Sequence, residues 1–309
     1  MRLIRGLTHL EPLQRGCVLT IGNFDGVHLG HRAVIEKLAQ QGRLLNLPVV
    51  VMSFEPQPLE YFSQQNAPSR LTRLREKIIQ FITLPIDNVL ILRFNQHFSN
   101  YDAEEFVSHV LVEKLNVKHL VVGDDFHFGK ARRGNFALLR AYGKQFGFNV
   151  ENTQSYQVQG IRVSSTLIRD ALGEGNLKLA EKLLGRAYSI CGRVAHGNKI
   201  GRTLGFPTAN IQLFRKNTPI NGVFAVTMTG VAHQTLHGVA NVGVRPTVSG
   251  EATVILEVHL FDFNTDIYGC TVEVHFKYKI RDETRFSSLA QLTTQIEKDV
   301  SAAKLFFAS

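Results

Sequence analysis

Apolar positions follow two different rhythms along this chain. Up to about residue 185, short apolar runs alternate with turns rich in Gly, Pro or charge, and then with segments of helical spacing. The runs are CVLTI (17–21), PVVVMSF (48–54), NVLILRF (88–94) and HLVVG (119–123). In HRAVIEKLAQQG, Val34, Ile35, Leu38 and Ala39 recur at helical intervals, and Gly42 offers a stop. Runs apolar on both faces suit a parallel sheet covered by helices, so this half is expected to be an open α/β sheet. Ligands of such sheets bind beyond the carboxyl ends of the strands. Here those ends carry GNFDGVHLGH, EPQP and GDDFHFGKARRGN.

NLKLAEKLLG (176–185) predicts a closing helix stopped near Gly185. From Arg186 the rhythm becomes two. In TVEVHFKYKI (271–280), Val272, Val274, Phe276, Tyr278 and Ile280 share one face; GVFAVTMTG, QTLHGVANVG and TVILEVHLF are further strands. Their spacing predicts a small antiparallel barrel or sandwich. SSLAQLTTQIEKDVSAAKLFF predicts a terminal helix, with Ser288 and Gln291 as a capping box and Leu289, Leu292, Ile296 and Val300 facing inward. Two domains are expected, 1–185 and 186–309, in keeping with a length of 309 residues.

Composition narrows the partners. Lys and Arg outnumber Asp and Glu by 35 to 26, a formal charge of +9 that suits an anionic partner. The basic residues form no long block. Their tightest groups, Lys130 with Arg132 and Arg133, and Arg70, Arg73, Arg75 and Lys77, lack interleaved aromatics and lie near loops marked by Gly or Pro. Short polyphosphates fit that arrangement better than nucleic acid. Cys17, Cys191 and Cys270 are odd in number and widely spaced, which points to a reducing compartment. No apolar signal core or membrane span is visible, and the expected setting is the cytoplasm.

The chemistry concentrates first in TIGNFDGVHLGHR (20–32). Gly22 and Gly26 allow a sharp turn after the strand, and Gly30 allows close approach at the next helix. That helix start presents unpaired N–H groups and a positive dipole end, an anion site. His28 and His31 flank it as donors to phosphoryl oxygens. Zinc would need a third ligand at a recognisable spacing; Asp25 is near, but no HExxH-type pattern appears. A purely structural histidine pair is the plain alternative. A Walker A loop is excluded by the missing G-K-[ST] ending. Far downstream, RVSSTLIRDAL (162–172) sets Ser164, Ser165 and Thr166 before a helical segment with Arg169. Alone this is an ordinary N-cap cluster; hydroxyls at a helix N-terminus with an arginine a turn later can also close on a triphosphate. The ordered pair resembles the HxGH and SSTxxR signature of the Rossmann-like nucleotidylyltransferase superfamily.

In the second half, GRVAHGNKIGRTLGFPTANI (192–211) is a glycine-rich series ending in Pro207-Thr208-Ala209-Asn210. It is either a set of hairpin turns or a phosphate-covering loop with Thr208 and Asn210 offering oxygens to Mg²⁺. It resembles the riboflavin kinase motif. With GVANVGVRPT, LEVHLFDFNTDIYG and KIRDETRFSSLAQLTTQIEKD, nearly the whole chain resembles the bifunctional riboflavin kinase and FMN adenylyltransferase family, the prokaryotic FAD synthetases.

The resemblance implies two reactions, with riboflavin, FMN and ATP as substrates and Mg²⁺ as cofactor. Glu257 matches the kinase base, although a solvent-facing strand glutamate is the simpler reading of that residue alone. Thr208 and Asn210 match the metal and ATP-phosphate ligands. The loop bearing Gly197, Lys199, Gly201 and Gly205 matches the ATP flap. Arg281 and Glu283 match a flavin-side loop, with a surface ion pair as the alternative. In the first half, Gly22, Asn23, Phe24, Asp25, His28, Gly30 and His31 match the ATP-binding turn, and Ser164, Ser165, Thr166 and Arg169 the second clamp. Asp125, Phe126 and Phe128 match the flavin-side turn, where the rings serve equally well as core. His127, Ala187 and Asn264 depart from the family's common arginine, proline and acidic residue. Two rivals remain at this point: an adenylyltransferase for another substrate with an unrelated β-domain, and a non-catalytic flavin- or RNA-binding protein.

Overall fold

A computed structural model describes the chain except residues 11–12, 64–65, 124–125, 198–200, 202–203, 214, 216, 232–233 and 247–251. Its residues gather into two compact units, Met1–Pro68 with Thr72–Ser164, and Ser69–Leu71 with Ser165–Ser309.

The first unit is a parallel sheet of six strands. They are β1 (Arg2–Arg5), β2 (Cys17–Ile21), β3 (Val49–Glu55), β4 (Asn88–Arg93), β5 (Val117–Gly123) and β6 (Asn149–Thr153), in the order β1-β4-β3-β2-β5-β6. The four apolar runs read from the sequence are the four inner strands. Every residue of β2 is buried, as a strand covered on both faces requires. The edges, RLIR and NVENT, carry too little apolar signal to announce themselves. Between the strands lie α1 (Leu29–Leu45), α2 (Pro58–Phe62), α3 (Leu74–Ile82), α4 (Gln96–Ser99), α5 (Ala103–Glu105), which runs on as a π-helix over Phe106–Lys114, and α6 (Phe136–Phe146). A β-hairpin of β7 (Gln157–Val158) and β8 (Ile161–Arg162) follows.

Strand order reverses between β2 and β5. The chain moves from β2 through β3 and β4 toward one edge, then returns to β5 and β6 on the other side. The crevice beyond such a switch point is where open α/β sheets take ligands. Gly22 follows β2 there, and Phe126–Phe128 follow β5 closely.

In the second unit, α7 (Ser165–Gly173) and α8 (Leu177–Leu184) precede six antiparallel strands: β9 (Ser189–Ala195), β10 (Ala209–Gln212), β11 (Gly222–Thr229), β12 (Leu236–Pro246), β13 (Ala252–Leu260) and β14 (Thr271–Arg281). They close as a barrel in the order β10-β13-β12-β11-β14-β9. Alternation sorts the faces: Leu256, Val258, Val274 and Phe276 fill the interior. Helix α9 (Leu289–Ala308) docks outside, placing Ala303, Val300, Phe306 and Phe307 against Val223, Ala225 and Val239.

Two expectations for α9 need correction. Ser288 does cap it, accepting from Gln291 N–H at 3.3 Å, but the Gln291 amide reaches one residue further back, to Ser287 Oγ at 2.9 Å. Leu289 does not face inward: it is 64% exposed, because it lies before the stretch of helix that meets the barrel.

Candidate functional sites

The first site grows from the turn between β2 and α1. Phe24 (φ 48°) and Val27 (φ 42°) both hold left-handed backbone, a conformation that costs non-glycine residues roughly 1–2 kcal/mol each. Side chains from elsewhere keep the turn in place. Asp25 Oδ1 accepts from Thr72 N–H at 2.9 Å and from the Thr72 hydroxyl at 3.3 Å, while Gly26 N–H donates to Thr72 Oγ1 at 2.9 Å. The carboxylate of Asp25 is therefore a buried anchor of the turn. Phe24 turns its ring inward onto Phe81.

His28 is the N-cap of α1. Its Nδ1 accepts from His31 N–H at 3.3 Å, so in the neutral ring the hydrogen sits on Nε2. The two imidazoles stack at 3.6 Å between centroids and 14° between planes, and Phe24 meets His31 edge-on. A Cβ at Gly30 would lie 3.2 Å from the His28 ring, so the glycine makes room for this pair at the helix entry. The structural reading of the pair is met at His28, which caps the helix through Nδ1. Among the described residues no three His, Cys, Asp or Glu side chains gather as a metal site.

The downstream motif falls where the first unit ends and the second begins. Ser164 closes the first; Ser165, Thr166 and Arg169 lie on α7. Arg169 Nε donates to Ser69 O at 2.6 Å, which roots the guanidinium on the Ser69–Leu71 segment. On the turn after β5, Phe126 and Phe128 stack at 5.8 Å and 16°. Phe128 belongs to the core with Phe106, whereas Phe126 is only half-buried. Asp125 lies outside the described residues. His127 stands 3.5 Å from Arg132 Nη2.

The barrel builds its site on strand faces. Register pairs Asn210 on β10 with Glu257 on β13, and Glu257 with Asn241 on β12. These three polar residues form one row across three strands on the outer face, opposite buried Leu256 and Val258. Directly opposed side chains stand about 5 Å apart at Cβ, within hydrogen-bonding reach. Two residues along, His259 Nδ1 donates to Pro207 O at 2.9 Å and so fixes the start of the Pro207–Asn210 segment beside Glu257. Gly197 runs against the Asn210 amide so closely that a Cβ would collide with it. A Cβ at Gly201 would collide with Phe206 O and lie 3.3 Å from Thr208 Oγ1, and Leu204 and Phe206 N–H bond back to Gly201 O. The loop start, Thr208, Asn210 and Glu257 are therefore gathered together; Gly205 is exposed on the loop, and Lys199 lies outside the described residues. Asn241 and His259 escaped sequence reading: only strand register sets Asn241 beside Glu257, and only the fold brings Pro207 to His259.

Arg281 has a different set of contacts from those expected. Its Nε and Nη2 hold the buried Asp299 of α9 at 2.9 and 2.8 Å, and Nη1 donates to Asp282 O at 2.9 Å. The ion pair closes β14 onto the helix; Glu283 instead lies against Gly243 of β12.

A switch-point anion site on a parallel sheet, joined to a barrel with an oxygen-rich strand row, defines a two-module phosphoryl- and nucleotidyl-transfer enzyme. The FAD synthetase family model matches residues 10–167, and the riboflavin kinase model residues 184–307. The chain is 52% identical over 309 residues to the bifunctional riboflavin kinase/FMN adenylyltransferase of Haemophilus influenzae, covering all of both chains. It is 51% identical over 308 residues to the Escherichia coli K12 protein of that name, covering 99% and 98%, and 49% over 304 residues to that of Pseudomonas fluorescens, covering 98% and 97%. The crystal structure of a macrolide-efflux protein from Streptococcus pneumoniae superposes with a TM-score of 0.80 at 32% identity, over 97% of each chain. This chain belongs to the bifunctional riboflavin kinase/FMN adenylyltransferase family, whose place is flavin cofactor biosynthesis. Among the described residues no helix is long and apolar enough to cross a membrane.

Proposed function

We propose that the barrel module, residues 186–309, transfers the γ-phosphoryl group of ATP to the 5′-hydroxyl of riboflavin, and that module 1–185 transfers AMP from a second ATP to the FMN so formed. The pairing of Asn210 with Glu257 on adjacent strands carries this reading for the kinase. Glu257 accepts the proton of the riboflavin hydroxyl as oxygen attacks phosphorus. The loop from Gly197 covers the triphosphate. Thr208 and Asn210 supply neutral oxygens beside a carboxylate, a donor set that suits Mg²⁺, and the bound ion would neutralise phosphate charge. Arg281 acts by fixing the loop that bears Glu283 rather than by touching flavin.

In the first module the FMN phosphate attacks the α-phosphorus of ATP and pyrophosphate leaves. The N–H edge of the helix entry and the His28 imidazole bind the oxygens on which negative charge accumulates. Ser164, Ser165, Thr166 and Arg169 hold the far phosphates, and Phe126 presents a face to the isoalloxazine ring. The enzyme works in the cytoplasm on small molecules, not on nucleic acid. Incubation with riboflavin, ATP and Mg²⁺, followed by chromatographic separation of the flavins, tests this directly. FMN and then FAD should accumulate; no flavin nucleotide from oxidised or reduced riboflavin would overturn the reading.

A further inference from the structure

One buried group under the first site belongs to none of the motifs. Lys77 of α3 has no solvent exposure, in a helix that also buries Phe81 one turn later. Its Nζ lies 2.5 Å from Asn23 O and 3.5 Å from Ser53 Oγ, and the Ser53 hydroxyl donates to the same carbonyl at 3.3 Å. An ammonium leaves water only at high cost unless oxygen acceptors hold it. A methionine or leucine would fill the space at no such cost, so the charge itself calls for a role.

We propose that Lys77 is a positioning residue for adenylyl transfer, fixing the Asn23–Phe24 peptide and setting a buried positive charge beneath the turn that receives the phosphates of ATP. This deepens the adenylyltransferase reading of the first module and rests on it. A trans peptide is planar, with its C=O and N–H pointing in opposite directions. Drawing Asn23 O inward onto Lys77 and Ser53 therefore turns Phe24 N–H outward, toward the side where the chain goes on to His28 and the start of α1. Phe24 is one of the two left-handed non-glycine residues of the turn, so the orientation of this peptide needs an outside hold. Asp25 and Thr72 fasten the next step of the turn; Lys77 fastens this one.

The test compares Lys77→Met, which keeps the apolar stem and removes the charge, with Lys77→Arg and Ser53→Ala. FMN-to-FAD conversion is measured with ATP and FMN varied separately, beside the riboflavin kinase activity of the same preparation. Lys77→Met should lower kcat/KM for ATP by about 100-fold, the scale of losing one preorganised charge-stabilising contact. KM for FMN and the kinase activity should stay within about twofold. Lys77→Arg should recover part of the loss, and Ser53→Ala should fall between wild type and Lys77→Met. Wild-type ATP kinetics in Lys77→Met would overturn the proposal, as would equal damage to the FMN and ATP parameters. If Lys77→Met does not fold, Ser53→Ala decides, and unchanged ATP kinetics there overturn it. A wild-type protein that makes FMN but no FAD would instead sink the module reading itself.

Discussion

On the proposed reading the two sites meet one task, holding a triphosphate, with opposite materials. In the sheet unit the candidate residues sit on a turn with two left-handed non-glycine residues, and Asp25, Thr72 and Lys77 lie behind it as its anchors. In the barrel they sit on regular strands, where the pleat already aligns Asn210, Glu257 and Asn241. A turn can bring helix-end N–H groups to a ligand but needs outside anchors. A strand row needs none, yet it offers side chains only at the intervals the pleat allows. The barrel site should therefore depend on individual side chains, and the turn site on its supporting shell as well.

The largest effect that would separate them comes from Glu257→Ala. Loss of a general base is expected to lower FMN formation by about 10²–10⁴-fold. Conversion of supplied FMN to FAD should stay near wild type, as read by chromatography. His28→Ala should do the reverse, lowering FAD formation by about 10²–10³-fold. It also removes a helix cap, worth about 1 kcal/mol, so its melting temperature should fall where that of Glu257→Ala does not. Equal loss of both activities in either folded variant would break the comparison.

Arg281→Ala sharpens it. Cutting the clasp to buried Asp299 is expected to destabilise the barrel by about 3 kcal/mol. Arg281 serves as a clasp, so KM for riboflavin should change little below the new melting temperature. A large rise in that KM without loss of stability would restore the flavin-contact role. Gly197→Ala is a milder probe: the collision with Asn210 should raise the kinase KM for ATP by about tenfold and leave adenylylation unchanged.

The smallest expected effect is in pH. Burial lowers the His275 pKa in β14, against the nearby Glu273 carboxylate and with help from Lys277. A depressed histidine binds protons more weakly folded than unfolded, so this unit loses stability as pH falls through about 6.5. In the sheet unit burial works to raise the Glu151 carboxyl, but Lys37, through its hydrogen bond and charge, and His119 hold it below the ordinary range. That contribution is present above about pH 4 and is lost as pH falls through the lower folded value. Both groups are partly exposed, so each step should stay under about 1 kcal/mol. Melts from pH 8 to 3 should show His275→Gln flattening only the upper step and Glu151→Gln only the lower.

Much of this was legible in the sequence, and the exceptions have physical causes. The inner strands announce themselves because both faces must be apolar, whereas β1 and β6 each keep an open edge and a polar composition. Period two located Glu257 on a strand, but its neighbour Asn241 depends on how β12 and β13 align, and the bond of His259 to Pro207 on how the chain returns to β13, which no local pattern encodes. Lys77 read as one of a loop-side group of basic residues suited to short anions, and Thr72 carried no signal, until the fold buries both under the turn. Arg281 looked like a surface charge because its partner lies 18 residues on, on a helix whose docked face was misjudged at Leu289.

The second compact unit includes Ser69–Leu71 in addition to everything from Ser165 onward. Synthesis delivers Ser69 100 residues before Arg169, the residue that hydrogen-bonds it, so this unit cannot be completed by its own contiguous stretch of chain. A gene cut at residue 185 would also leave α7 and α8, whose buried Leu177, Ala180, Leu183 and Leu184 group with the second compact unit, on the first fragment. The two activities are expected to separate by point mutation, whereas no single cut of the chain leaves both compact units whole.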